Sequence, residues 1–78
     1  MKVKVYSTPV CPECKVLKSF LEALNIEFEE INAAGNDEII GYIEKKTGQR
    51  RVPVLEVGDN IVVGFDQDRI KQVLHIGE

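Results

Sequence analysis

Lys2-Val3-Lys4-Val5-Tyr6 alternates polar and apolar positions with period two, which predicts a strand over about Lys2 to Ser7. The period then changes. Leu17, Phe20, Leu21 and Leu24 recur at the spacing of a helix face, so a helix is expected from about Pro12 to Leu24. Pro12 suits its first position, where a missing N–H costs nothing, and Asn25 ends it. Alternation returns from Ile26 to Ile31, with Ile26, Phe28 and Ile31 set against Glu27, Glu29 and Glu30, and predicts a second strand. Two strands joined by a crossover helix in one sheet should be parallel, with a right-handed connection.

Ala33-Ala34-Gly35-Asn36 reads as a turn, and Asn36 followed by Asp37 and Glu38 supplies the cap and acidic first turn of a second helix. Ile39, Ile40 and Ile43 form its apolar face, Lys45 and Lys46 its last turn, and Gly48 its C-cap. Val54 to Val57 and Ile61 to Val63 flank Gly58-Asp59-Asn60 and predict an antiparallel hairpin, entered through Pro53 at a position that need not donate to the ladder. Gly64-Phe65 breaks the last strand, Asp66 caps a third helix with Ile70, Val73 and Leu74 on one face, and Gly77 is expected to stop it. The order is βαβαββα, an α/β fold. Strand one departs from the continuous apolar run of a strand buried on both faces. Either one of its faces is partly open, or its lysines occupy an outer end.

With 78 residues, the chain is expected to form one domain over 1–78 around one core. The hydrophobic fraction of 44% and charged fraction of 29% are ordinary for a globular protein. A net charge of -3 is opposite in sign to what a phosphate-binding surface needs, which argues against nucleic acid as a partner. Lys2 and Lys4 interrupt any apolar leader, and no stretch approaches the roughly 20 residues of a membrane span. A cytoplasmic monomer with no membrane partner is expected. Thiols stay reduced in that compartment, so closely spaced cysteines there are more often catalytic or metal-binding than structural.

The chain has two cysteines, both in Cys11-Pro12-Glu13-Cys14 at the predicted start of the first helix. Cys11 falls at or beside the N-cap, where unpaired amides and the positive end of the helix dipole favour a thiolate, so it is expected to ionise more readily than a free thiol near 8.5. It is the expected nucleophile. Cys14 precedes Leu17 by three residues and Leu21 by seven, which places it on the core-facing stripe as the expected resolving thiol. Other roles fit less well. A disulfide across so short a loop removes on the order of 2 kcal/mol of chain entropy and ties no distant parts together. A zinc site takes four ligands as a rule, and the cysteines are joined by a single histidine, His75, far along the chain. A metal or iron–sulfur site shared between two chains is the alternative that remains. Tyr6 and Tyr42 are expected to be packing residues, and His75 to lie beside the apolar stripe near the end of the last helix, without a catalytic role.

Three separated signals, Cys11-Pro12-Glu13-Cys14, Val52-Pro53 and Gly64-Phe65-Asp66, resemble the glutaredoxin family within the thioredoxin superfamily over nearly the whole chain. The resemblance implies a thioredoxin-like, four-stranded mixed sheet flanked by helices, with a cis peptide before Pro53 close to the cysteines. It implies a dithiol thiol–disulfide oxidoreductase and electron carrier with no bound cofactor, acting on disulfide-containing proteins or glutathione mixed disulfides. Glutathione or a thioredoxin-reductase-type enzyme would serve as its reductant. Pro12 would belong to the substrate-binding set, the Val52 backbone would pair with an extended substrate or glutathione, and Gly64, Phe65 and Asp66 would hold the glutamyl end of glutathione. Arg50 and Arg51 form a basic cluster with Lys45 and Lys46. On this fold Arg51 should lie near the cysteines, where it would dock a glutathione carboxylate or an acidic partner surface; a solvated surface is the alternative. This chain has Glu13 where typical glutaredoxins carry tyrosine, Thr8 where a lysine is frequent, and Arg51 where they carry threonine. Gly64-Phe65 is also similar to the small redoxins that thioredoxin reductase reduces.

Overall fold

The computed structural model describes residues 2–75. Its elements are β1 (Val3–Ser7), α1 (Pro12–Ala23), β2 (Glu29–Asn32), α2 (Asp37–Thr47), β3 (Val54–Val57), β4 (Asn60–Val63) and α3 (Gln67–Leu74). The strands form one mixed sheet in the order β2-β1-β3-β4. β1 runs parallel to β2 and antiparallel to β3, which pairs antiparallel with β4. This is the expected thioredoxin-like α/β architecture.

Two layers of side chains follow from the alternation in the strands. Val3, Val5, Leu55, Val57 and Val62 meet Leu17 and Leu21 of α1 and Ile70, Val73 and Leu74 of α3 in the larger cluster. Tyr6 and Val54 face the other way, against Ala33, which directly follows β2, and Ile43 of α2, with Ile31, Ile39, Ile40, Val52 and Ile61 half-buried around them. Lys4 is half-buried on this second face, beside a shallow groove of about 360 Å³ that Tyr6, Ile31, Glu38, Ile39 and Tyr42 also line. The first of the two arrangements for strand one is therefore the one that forms: its α2 face is partly open.

The second strand begins later than the alternation suggests. Asn25 takes a left-handed φ of 58°, and the Ile26 N–H turns back to donate to the Leu21 carbonyl at 3.0 Å. Ile26 and Phe28 thus pack on the larger cluster from the connection between α1 and β2, and parallel pairing with β1 starts only at Glu29 opposite Lys4. The caps form as expected. Asn36 Oδ1 accepts from Ile39 N–H at 3.2 Å, and Gly48 closes α2 at a φ of 79°. β4 starts at Asn60, one residue early, because Asn60 pairs with Val57 across the turn. α3 ends sooner than expected. His75 takes its left-handed C-cap position at φ 58°, while Gly77, the expected stop, lies outside the described residues.

Candidate active site

Cys11 is the N-cap of α1, with extended backbone at φ -112° and ψ 106°, and Pro12 opens the helix. The Cys14 N–H donates to Cys11 Sγ at 3.1 Å, and the Lys15 N–H approaches the Cys11 carbonyl at 3.4 Å. A sulfur at this position receives a hydrogen bond from a helix amide that has no partner within the helix, and it lies at the positive end of the helix dipole. Both favour negative charge on Cys11. The side chain is half-buried, whereas Cys14, Leu17 and Leu21 are fully buried along one stripe of α1. The two cysteines form a disulfide, with Cα atoms 5.2 Å apart. One sulfur therefore sits at the rim of the molecule and its partner is sealed behind it.

The peptide between Val52 and Pro53 is cis, as the resemblance implied. Pro53 is buried, and its carbonyl accepts from the Gly64 N–H at 2.7 Å, which joins the segment before β3 to the end of β4. Gly64 has a φ of 77°, and a Cβ there would stand 3.4 Å from Arg51 Nη2. Glycine satisfies both the left-handed backbone and the close guanidinium. Val52 is half-buried, and among the described residues its backbone has no hydrogen-bond partner, which leaves a short unpaired edge beyond β3. Phe65 packs edge-on against Phe20 at 5.5 Å between ring centroids. Asp66 caps α3 by accepting from the Arg69 N–H at 3.3 Å.

Arg51 connects these parts. Its Nη2 lies 3.6 Å from Glu13 Oε1, so the residue two positions before Pro53 reaches the side chain between the two cysteines. Cys11, Cys14, Pro12, Arg51, Val52, Pro53 and Gly64 thus belong to one end of the sheet. Phe65 and Asp66 follow directly, although the contacts they make are internal ones.

Two pairings lie beyond what the sequence leads one to expect. Glu13 and Arg51, separate departures from the family pattern, face each other. The tyrosines pack as expected, Tyr6 in the smaller cluster and 5.9 Å from Tyr42 between ring centroids, and in addition both bind one carboxylate: the Tyr6 hydroxyl donates to Glu56 Oε1 at 2.7 Å and the Tyr42 hydroxyl to Oε2 at 2.6 Å. The alternating Glu56 in an otherwise apolar β3 was the available signal for the second. Among the described residues, no three His, Cys, Asp or Glu side chains gather to hold a metal.

A mixed four-stranded sheet, a cysteine pair capping the helix after its first strand and a cis-proline at the adjoining loop define a dithiol protein of thioredoxin fold. A family model described as glutaredoxin matches residues 3–62. A glutaredoxin-like 8.6 kDa protein from the rubredoxin operon of Clostridium pasteurianum is 36% identical over 72 residues, covering 92% of this chain and 96% of that protein. The structure of NrdH-redoxin from Escherichia coli, described as a glutaredoxin-like protein with a thioredoxin-like activity profile, superposes with a TM-score of 0.85 at 29% identity over 100% of both chains. A buckwheat glutaredoxin solved with glutathione gives a TM-score of 0.77 at 26% identity, covering 90% of this chain and 66% of that one. The chain belongs to the glutaredoxin family, and it is a thiol–disulfide oxidoreductase.

Proposed function

We propose that Cys11 is the attacking thiol and Cys14 the resolving thiol of a two-step exchange that reduces protein disulfides or glutathione mixed disulfides. The observation that carries this reading is the asymmetry of the pair: Cys11 Sγ accepts the Cys14 N–H at the helix start, and Cys14 itself is fully buried. In the reduced protein the Cys11 thiolate attacks one sulfur of the substrate disulfide, a mixed disulfide forms, and the other substrate sulfur leaves as a thiolate. Cys14 then loses its proton and attacks Cys11 Sγ. The Cys11–Cys14 bond forms, the mixed disulfide breaks, and the second substrate sulfur departs as a thiolate. Two electrons have passed to the substrate, and the two departing thiolates take up protons from solvent or from Cys14.

The unpaired backbone at Val52 supports placement of an extended substrate there, since a peptide can add to a free strand edge. Pro12 and Pro53 fix the two chain segments that would flank it. Gly64, Phe65 and Asp66 are the proposed glutamyl-binding segment for glutathione, and Arg51 the proposed carboxylate contact. Resetting the disulfide needs a thiol donor that supplies two electrons. Two molecules of glutathione or a thioredoxin-reductase-type flavoenzyme both fit the chemistry, with no other bound cofactor, and a monomer in the cytoplasm is the proposed setting.

Cys11→Ser should abolish reduction of a disulfide substrate, whereas Cys14→Ser should accumulate a mixed disulfide on Cys11, seen as a mass increment that a reductant removes. A Cys11→Ser protein that turns over normally would refute the assignment. Supplying electrons through glutathione and its reductase, in parallel with thioredoxin reductase, identifies the donor.

A further inference from the structure

Arg51 Nη2 lies 3.6 Å from Glu13 Oε1 and 3.4 Å from the place a Gly64 Cβ would occupy, so this guanidinium spans the gap between the cysteine turn and the end of β4. Its neighbour Arg50 turns elsewhere, donating from Nη1 to Glu44 Oε1 at 2.8 Å on α2. Of the two arginines, only Arg51 is directed at the cysteines. A guanidinium is a fork that recognises carboxylates. Here the fork already faces a carboxylate, and that carboxylate comes from between the cysteines.

We propose that Glu13 is a resident carboxylate that occupies Arg51 and thereby biases the Cys11–Cys14 site against disulfides of small thiols bearing free carboxylates, in favour of polypeptide disulfides. This rests on the exchange reading above. A small disulfide such as oxidised glutathione must displace Glu13 to use Arg51, and so loses part of what that contact would contribute. A polypeptide disulfide carries its main-chain carboxyls as amides and needs no such displacement. Both partners are about half exposed, so water and salt weaken their attraction and the bias is a modest factor, not a block.

The test compares two oxidants of the prereduced protein at low salt: oxidised glutathione, and the same disulfide with every carboxylate esterified. In both, the protein dithiol becomes the Cys11–Cys14 disulfide and the oxidant becomes two thiols. The readout is the ratio of the two second-order rate constants for wild type, Glu13→Gln, Arg51→Gln and the double variant. Glu13→Gln should raise the ratio in favour of oxidised glutathione about two- to fivefold, the range open to an exposed ion pair. Arg51→Gln should lower it, and the double variant should show no gain over Arg51→Gln alone. If Glu13→Gln speeds both oxidants alike, or if its gain survives the loss of Arg51, Glu13 acts by simple repulsion and the proposal falls. If wild-type protein reduces neither oxidant, the exchange reading itself fails and carries this one with it.

Discussion

The two faces of the sheet bury their strands by different means. The face under α1 and α3 is closed with apolar side chains: Leu17, Leu21, Leu55 and Ile70 are fully buried there, with Val5 beneath them and Phe20, Phe28 and Phe65 half-buried around them. The face under α2 has one helical residue fully buried, Ile43, and its remaining helix contacts, Ile39 and Ile40, are half-buried. Polar groups complete it. Glu56 accepts from both tyrosine hydroxyls, and Lys46 lies 5.8 Å from the Tyr42 ring centroid. The redox pair belongs to the first face, because Cys14 continues the α1 stripe of Leu17 and Leu21. A sulfur that must be reached in a fixed geometry is held by the close-packed side, and the more open side is left to tolerate water and charge.

The largest effect should come from cutting matched cavities on the two faces. Leu55→Ala removes a side chain enclosed from all sides, and such truncations cost about 2–5 kcal/mol, rising with the volume that cannot collapse. Ile43→Ala lies on the inner face of α2, where its neighbours Ile39 and Ile40 are half-buried and able to close in. Leu55→Ala should fall toward the upper end of that range and Ile43→Ala toward the lower, measured by urea denaturation of the oxidised protein. Equal losses would mean that the α2 face is packed as tightly as the other.

Glu56 offers the next test. Burial opposes its ionisation, but hydrogen bonds from Tyr42 and Tyr6, with Lys4 and Lys46 nearby, outweigh that and hold its carboxyl below the usual range. A carboxyl depressed in the folded state stabilises the fold above its unfolded pKa, about 4.3, and this contribution is lost as pH falls through the folded value. Glu56→Gln replaces a double acceptor by a group with one acceptor and a donor, leaving one hydroxyl poorly paired, at a cost of about 1–3 kcal/mol near neutrality. The gap between wild type and variant should narrow in acid. A constant gap across that range would show that charge is not what Glu56 contributes.

The same network can be watched directly in alkali. Burial, then Glu56, pushes the Tyr6 phenol well above its usual range, and the hydrogen bond to Glu56 raises Tyr42. Raised phenols stabilise the fold below about pH 10 and lose that contribution as pH rises through their folded values. The chain has two tyrosines and no tryptophan, so tyrosinate absorbance reports this site alone. Ionisation should be delayed in wild type and should move toward the ordinary range in Glu56→Gln. Normal titration in both proteins would break the network.

What could be read from sequence was whatever the chain states locally. Asn36, Gly48 and Asp66 announce helix ends by chemistry that acts within a turn, and Cys11 and Cys14 take their different positions from the start of α1 and its spacing, one at the N-cap and one on the buried stripe. Strand boundaries were less legible. Ile26 and Phe28 alternate as a strand would, yet they serve the core from a connection, since pairing is decided by the partner strand and not by the pattern. Contacts between distant residues leave at most one partner visible, as Glu56 is in an otherwise apolar β3. Tyr6 and Glu56 are separated by 50 positions, and nothing near Glu13 hints that its partner stands just before Pro53. The tertiary fold creates those pairings, so only the fold reveals them.

The smallest predicted effect is a gain, and it separates helix quality from face packing. Gly41 sits in the interior of α2, exposed, and a Cβ built there meets nothing within 4 Å. Its φ is not left-handed, so no backbone requirement keeps glycine at this position. Glycine in a helix interior costs roughly 0.5–1 kcal/mol relative to alanine, chiefly by leaving the unfolded chain more freedom to lose. Gly41→Ala should therefore stabilise the protein by about that much in urea or thermal unfolding, with disulfide exchange at the far side of the sheet as the control. α2 contributes the open face partly because its own helix is weak, and alanine strengthens the helix without adding a contact to the sheet. If Gly41→Ala gives no gain, the α2 face is limited by its packing and not by its helix, and the contrast between the faces lies wholly in what Ile39, Ile40 and Ile43 can bury.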